Sequence, residues 1–128
     1  MNPHHPYDQY ISSITRAGYV ANVIALTASD AAAKASAAAI AAVSEEHPQE
    51  VCDQITRAAT RANVSAGEAA AAARKTNTSI EADAAFEDLS LVAIISTWSE
   101  AAVNSAIRAE IAALDAERIL EAARVART

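Results

Sequence analysis

The side chains best suited to chemistry lie in one short stretch of the chain, where His47, Glu50, Cys52 and Asp53 follow one another closely. Imidazole, thiolate and carboxylate groups are ligands that transition metals prefer. His47, however, precedes the helix that Pro48 is expected to open, and Cys52 lies about 140° from it around a helical wheel, so the set does not converge on one point. We therefore expect His47 to cap a helix and Cys52 to be a thiol at the edge of the core.

A second set of metal-ligand types, His4, His5 and Asp8, lies at the N-terminus beside Pro3 and Pro6. Proline fixes its own backbone and disfavours helical geometry in the residue before it, so these side chains have no regular element to hold them together. A solvated terminus is the better interpretation. The sequence predicts neither a metal nor a cofactor.

Sequence motifs of known catalytic mechanisms are missing. No Glu has a His three residues later, as a di-metal helical bundle requires, and the chain has neither a Gly-rich phosphate loop nor a Gly-x-Ser-x-Gly motif. Three His in 128 residues also give a poor supply of general bases. The sequence leaves catalytic activity undecided and favours a protein without one.

The elements that must position any site are helices. Ala occupies 36 of 128 positions, whereas Gly and Pro together occupy 5, and Ala is the best helix former while Gly and Pro are the worst. The chain length suits one domain. We predict an all-α fold, an antiparallel alanine-rich bundle of three to five helices, with an extended lead over residues 1–6 and a single helical-bundle domain over residues 7–128.

The first predicted helix starts at Tyr7 and has apolar or small residues at intervals of three and four. Its buried stripe is predicted to be Tyr10, Ile14, Ala17, Ala21, Ile24, Ala28, Ala31, Ala35, Ala38 and Ala42. Because Ala permits a close approach, we expect residues 31–42 to pack against the second Ala-rich run, Ala66 to Ala73. Two alternatives stay open, one uninterrupted helix or a break at Ser29 or Asp30, either of which is a suitable cap.

The clearest boundary precedes Pro48, which suits the first turn of a second helix. The buried face of this helix is predicted to be Val51, Ile55, Ala58, Ala59 and Ala62. We expect the helix to end near Arg74 and Lys75, and residues 76–79 to form a polar turn.

Thr78 and Glu81 have the spacing of a capping box for the last segment. That segment is predicted to be one long helix from about residue 79 to about 126, or two helices that meet near Thr97 to Ser99. Its apolar block, Leu91 to Ile95, is short and rich in branched residues, as a buried strand would be. It is read as helix, because it has no strand partner and no flanking turn signals.

Charge and composition restrict the partners and the location. A net charge of -6 disfavours binding to a phosphate backbone, and Asp30 and Lys34 interrupt the apolar run from Tyr19 to Val43 that would otherwise suggest a membrane span. The single Cys52 cannot form an internal disulfide, and the first residues do not resemble a signal peptide. We predict a cytoplasmic protein that binds neither nucleic acid nor membrane; 8 Arg against 2 Lys suggests a GC-rich bacterial genome.

The aromatic residues give the best indication of function. Tyr7, Tyr10 and Tyr19 lie at one end of the first helix, and Trp98 follows an apolar block, so these four are the predicted binding residues. They favour a small acidic bundle that binds another protein, of the inhibitor, immunity or antitoxin type. The last helix is longer than the second can cover, which favours a homodimer. The alternative is a helical enzyme or small-molecule carrier, with an apolar pocket between helices lined by Trp98, Phe86 and Tyr19.

Overall fold

The protein is all-α. The computed structural model describes the backbone of residues 6–83 and 90–128, and the side chains of residues 15–80 and 93–128. Within these ranges the chain forms three long helices and no strand: α1 (Pro6–Ser44), α2 (Gln49–Asp83) and α3 (Ser90–Ala126). The all-α class predicted from the abundance of Ala is confirmed. Residues 1–5 of the predicted extended lead lie outside the described residues, and α1 begins at Pro6.

The turn between α1 and α2 is a Schellman motif formed without Gly. The amide of Glu46 donates to the carbonyl of Val43 at 3.0 Å, and the amide of His47 donates to the carbonyl of Ala42 at 3.1 Å. Glu46 has a φ of 56°, the left-handed conformation that Gly usually supplies at this position. The predicted helix boundary before Pro48 is confirmed.

The predicted turn at residues 76–79 is wrong, because α2 continues through it to Asp83. Thr76 is fully buried, and its hydroxyl donates to the carbonyl four residues earlier at 3.0 Å. The side-chain amide of Asn77 donates to the carbonyl four residues earlier at 2.9 Å and to Oδ1 of Asn22 in α1 at 3.0 Å. The polar groups of Thr76 and Asn77 are hydrogen-bonded within α2, and Asn77 is also bonded to α1. Their turn propensity therefore does not end the helix.

Two smaller predictions fail for the same reason. Arg74 and Lys75 lie inside α2 rather than at its C-terminus, and Thr78 and Glu81 do not cap the start of a helix. The third helix begins at Ser90 instead of near residue 79.

The sequence left open whether α1 and α3 are each broken into two helices, and in the structure both are uninterrupted. α1 passes Ser29 and Asp30 without a break, and α3 likewise runs through residues 97–99. The hydroxyl of Thr97 donates to the carbonyl of Ala93 at 2.8 Å, which keeps its polar group satisfied within the helix. The described part of the block Leu91 to Ile95 is therefore helical, as predicted.

Two hydrogen bonds between side chains fix how α1 lies against α2. Ser36 of α1 contacts Asn63 of α2 at 3.0 Å, and Asn22 contacts Asn77, so numbers rise along α1 as they fall along α2. One register holds along both helices, because an interval of 14 residues separates the two contact residues on α1 and also the two on α2. Residues 31–42 consequently pack near residues 56–64 of α2 rather than against Ala66 to Ala73, whose outer neighbours include residues of α3.

The core is made almost entirely of Ala. Among the described side chains, every buried hydrophobic residue is Ala except Cys52, Ile55, Ile95 and Leu120. The predicted buried face of α2 is confirmed for Ile55, Ala58, Ala59 and Ala62, and Val51 packs against the cluster as a partly buried residue. In α1 the stripe from Ala21 to Ala42 is buried, with Ile24 partly buried; the side chains of Tyr10 and Ile14 lie outside the described residues. Small side chains let the three backbones approach closely.

Candidate interaction surface

Of the predicted binding residues, only Tyr19 and Trp98 have described side chains, and these two do not line a common groove. The side chains of Tyr7 and Tyr10 lie outside the described residues, as does Phe86. Tyr19 is 71% exposed on the outer surface of α1. Trp98 is partly buried against α2, where Nζ of Lys75 lies 4.2 Å from the centroid of its ring.

The groove beside Trp98 is open and has both apolar and charged side chains in its lining. It is about 430 Å³ in volume and is lined by residues of α2 and α3 alone: Glu68, Ala71, Ala72, Lys75, Trp98, Ala101, Asn104, Ser105 and Arg108. Arg108 donates to Glu68 at 3.1 Å and to the hydroxyl of Ser105 at 2.9 Å, so its guanidinium already has partners. Tyr19 is not part of this groove, and the described residues do not assemble the predicted apolar pocket of Trp98 and Tyr19.

The outer surface of α3 carries a stripe of large aliphatic side chains. Val103, Ile107, Ile111 and Leu114 recur at intervals of four, four and three residues, so they lie on one face of the helix, and all four are exposed. The sequence contains this periodic signal, but periodicity alone does not show whether an apolar face of a helix is buried or exposed. Ala fills the core instead, and the larger side chains of α3 are left outside.

The outer surface of α1 carries a second stripe, formed by Tyr19, Val20, Val23 and Leu26, all exposed. From Ala17 to Ser29 this helix has no Asp, Glu, Lys or Arg. The outer surface of α2, by contrast, is mostly polar, with Val64 as an exposed aliphatic exception. The apolar side chains that the core leaves out are thus concentrated on α1 and α3.

The two stripes lie side by side. Residues 27–34 of α1 and 110–117 of α3 line a common groove of about 310 Å³. By the same offset, residues 19–26 of α1 lie level with about residues 102–109 of α3, beside most of its stripe. We call the combined surface the apolar face; it consists of Tyr19, Val20, Val23 and Leu26 of α1 and Val103, Ile107, Ile111 and Leu114 of α3.

Charged residues border the apolar face at one end. Asp30 and Lys34 of α1 line the shared groove together with Glu110 and Glu117 of α3. Both signs of charge are present at this end, and residues 17–29 of α1 next to it are uncharged. An apolar centre with a charged rim is the usual anatomy of a protein–protein interface.

A second cluster of functional groups lies at the α1–α2 turn and is tied to the end of α3. Arg124 donates two hydrogen bonds to the carboxylate of Glu45, at 2.6 and 2.9 Å, and Arg127 donates to the carbonyls of Glu45 and Glu46. These hydrogen bonds from Arg124, together with one from His47, lower the pKa of Glu45 from 4.5 to about 2. Sequence reasoning missed this cluster, because no local pattern relates residues 79 positions apart.

The turn cluster does not have the geometry of a metal centre. Nε2 of His47 lies 3.1 Å from Glu45, and the thiol of Cys52 points to the carbonyl of His47 at 3.5 Å. Glu50 and Asp53 are exposed on α2. Among the described side chains, no three His, Cys, Asp or Glu residues are grouped in a way that could hold a metal ion. The cluster therefore joins a helix end to a turn.

One stretch of α1, Thr15–Ser44, is long and apolar enough to cross a membrane. Only 28% of its most apolar window is buried inside the bundle. Length and composition of this kind are shared by helices of proteins that never enter a membrane, so this finding is weak evidence and does not decide the location of the protein.

Comparison with known proteins adds no relative: no family model matches the chain, and neither a curated protein nor a solved structure matches it. The class that the structure defines is an all-α helical bundle.

Proposed function

We propose that this protein is a non-enzymatic interaction module, an antiparallel alanine-cored helical bundle that binds another protein chain through its apolar face. The observation that carries the proposal is the distribution of side-chain size. Ala fills the interior, while eight larger apolar residues are exposed together on α1 and α3. A chain that needed them only for its own stability would bury them.

The energetics favour a bound state for this face. Burying a Val, Leu or Ile side chain fully stabilises by roughly 1.5–3 kcal/mol relative to leaving it exposed. Several such side chains next to each other therefore supply a driving force for association that a scattered set does not. Contiguous exposed patches of this kind mark protein-interaction sites in soluble proteins.

The shape of the face also suits a protein partner. Two helices with a shallow groove between them offer ridges into which the side chains of another helix pack. The groove is open rather than enclosed and is bordered by charges of both signs. Small-molecule sites are concave and bury most of the ligand. The apolar face does not have this shape.

Site-specific photo-crosslinking in the cells that express the protein tests this function. A photoreactive amino acid is placed at Leu26 and, separately, at Ile107, both on the apolar face. Matched controls carry it at Ile40, which lines the α1–α2 groove, and at Val43, near the α1–α2 turn; Leu26, Ile40 and Val43 are 67%, 68% and 65% exposed, and Ile107 is 48% exposed. The proposal expects covalent protein adducts at Leu26 and Ile107 and few at the controls.

Similar labelling at all four positions would contradict the assignment of the face, because it would reflect exposure alone. The absence of adducts at every position would contradict the proposed function itself. The mass of each adduct also identifies whether the captured chain is a second copy or a different protein.

A further inference from the structure

We propose that the chain that covers the apolar face is a second copy of this protein, so that the protein is a homodimer held together by α1 and α3. This inference rests on the proposed function and specifies its partner. Three properties of the single chain support it: its total exposed surface, the charges around the face, and the relative heights of the two stripes.

The first property is the area left exposed by one copy. The accessible surface is 7892 Å², whereas a compact monomer of 13.3 kDa is expected to expose about 6,500 Å². The excess exceeds the area of about 800 Å² that each partner contributes to a standard-size interface. Part of the exposed area lies on the eight side chains of the apolar face, which are 37 to 71% exposed and which association through this face would cover.

The second property is the distribution of charge. The centre of the face is uncharged, because residues 17–29 of α1 and 101–107 of α3 contain no Asp, Glu, Lys or Arg. The rim contains Lys34 together with Asp30, Glu110 and Glu117. The single cation of this rim allows one ion pair in each direction, because Lys34 of one copy can face a carboxylate of the other. A rim of one sign would instead require a partner of the opposite charge.

The third property is the alignment of the stripes. In a symmetric dimer the same patch on both subunits must be self-complementary. The two stripes lie almost level along the bundle. A single two-fold axis that crosses the face can therefore place the apolar residues of one copy on those of the other, along both helices. Stripes at different heights would leave one of them uncovered.

Sedimentation velocity on the full chain tests the inference, over a concentration range from about 1 to about 100 µM, which spans the affinities of weak to moderate complexes. The wild-type chain is expected to sediment at twice its monomer mass of 13.3 kDa. Leu26→Glu and Ile107→Glu are expected to raise the dissociation constant of the dimer at least about tenfold, because each places a charge in the apolar centre.

The matched controls are Ile40→Glu and Val43→Glu, which add the same charge at similarly exposed aliphatic positions outside the face. They are expected to change the dissociation constant less than about twofold. Far-ultraviolet circular dichroism of all four variants establishes that the helices are retained, so that loss of the dimer is not loss of the fold.

A wild-type chain that stays monomeric at the highest concentration would overturn the inference, and equal weakening by the controls would overturn its location. Adducts with a different protein at Ile107, in a chain that sediments as a monomer, would leave the proposed function intact and refute the homodimer. Flotation of that monomer with phosphatidylcholine vesicles, abolished by Ile107→Glu, would instead assign the face to a membrane and refute both proposals.

Discussion

Arg124 and Glu45 form a two-hydrogen-bond ion pair, with N–O distances of 2.6 and 2.9 Å, that ties the last turns of α3 to the end of α1. The pair spans 79 positions of sequence and lies at the one described turn of the bundle. Arg127 adds hydrogen bonds from the same end of α3 to two carbonyls of that turn. The C-terminal end of α3 thus holds the α1–α2 connection in place.

This pair predicts a dependence of stability on acidic pH. The pKa of Glu45 is lowered from 4.5 to about 2 by its hydrogen bonds to Arg124 and His47. The unfolded chain therefore binds a proton at this carboxyl more readily than the folded chain, so the contribution of Glu45 is fully present above about pH 4.5 and is lost as the pH falls toward 2. Thermal unfolding followed by circular dichroism at several pH values measures it.

The test compares Glu45→Gln with the wild-type protein. The variant is expected to unfold at a lower temperature than the wild-type protein at neutral pH. This difference in unfolding temperature should shrink as the pH falls from about 4.5 toward 2. Glu100→Gln serves as the control, because it removes an exposed carboxylate from α3 that is not part of the turn cluster. A pH-independent difference between Glu45→Gln and wild type would refute the assignment of the lowered pKa.

The left-handed residue in the turn predicts a stabilising substitution. Glu46 adopts a φ of 56°, which costs an L-residue roughly 1–2 kcal/mol and costs Gly nothing of the kind. Glu46→Gly is therefore expected to raise the free energy of unfolding by about 1 kcal/mol, after the added flexibility of the unfolded chain is taken into account. Urea denaturation measures this change, and destabilisation by Glu46→Gly would contradict the described turn geometry.

The alanine core predicts a strong sensitivity to larger side chains. Ala35 and Ala109 are fully buried, so Ala35→Leu or Ala109→Leu would force the helices apart at a cost of about 1–3 kcal/mol or more. Ala33→Leu is the control, since Ala33 is exposed on the same helix as Ala35 and Leu is nearly as good a helix former as Ala. Equal unfolding midpoints for Ala35→Leu and Ala33→Leu would show that the helices are not closely packed.

The two Gly residues are expected to respond oppositely to replacement by Ala. A Cβ at Gly67 meets no atom within 4 Å, so Gly67→Ala should stabilise α2 by about 0.5–1 kcal/mol. A Cβ at Gly18 would lie 2.8 Å from Oδ1 of Asn77 and 2.9 Å from Cδ1 of Ile80. Asn77 is held by hydrogen bonds to α1 and to its own helix, and moving it would break them.

We therefore expect Gly18→Ala to lower the melting temperature and Gly67→Ala to raise it, measured side by side by calorimetry. Stabilisation by both substitutions would mean that α1 and α2 are not in close contact at Gly18. These two substitutions test the part of the α1–α2 interface that lies far from the turn.

The ion pairs between helices depend on the tertiary structure and not on local sequence patterns. The structure pairs Arg108 with Glu68 at 3.1 Å and places Arg61 4.0 Å from Asp115, both between α2 and α3. Charge patterns along one helix do not reveal such partners, because the register between helices depends on where the turns fall.

The sequence by itself determined the local properties of this protein: helices throughout, the boundary before Pro48, and the Ala positions of α1 and α2 that face inward. These follow from intrinsic propensity and from a period of 3.6 residues, which are encoded in neighbouring residues. It did not determine that α2 passes through Thr76 and Asn77, because buried and interhelical hydrogen bonds there overrode local turn preferences. Nor did it determine which large apolar side chains remain outside. Only the packing of three Ala surfaces against one another decided that, because close helix contacts leave no room inside for Ile107, Ile111 or Leu26.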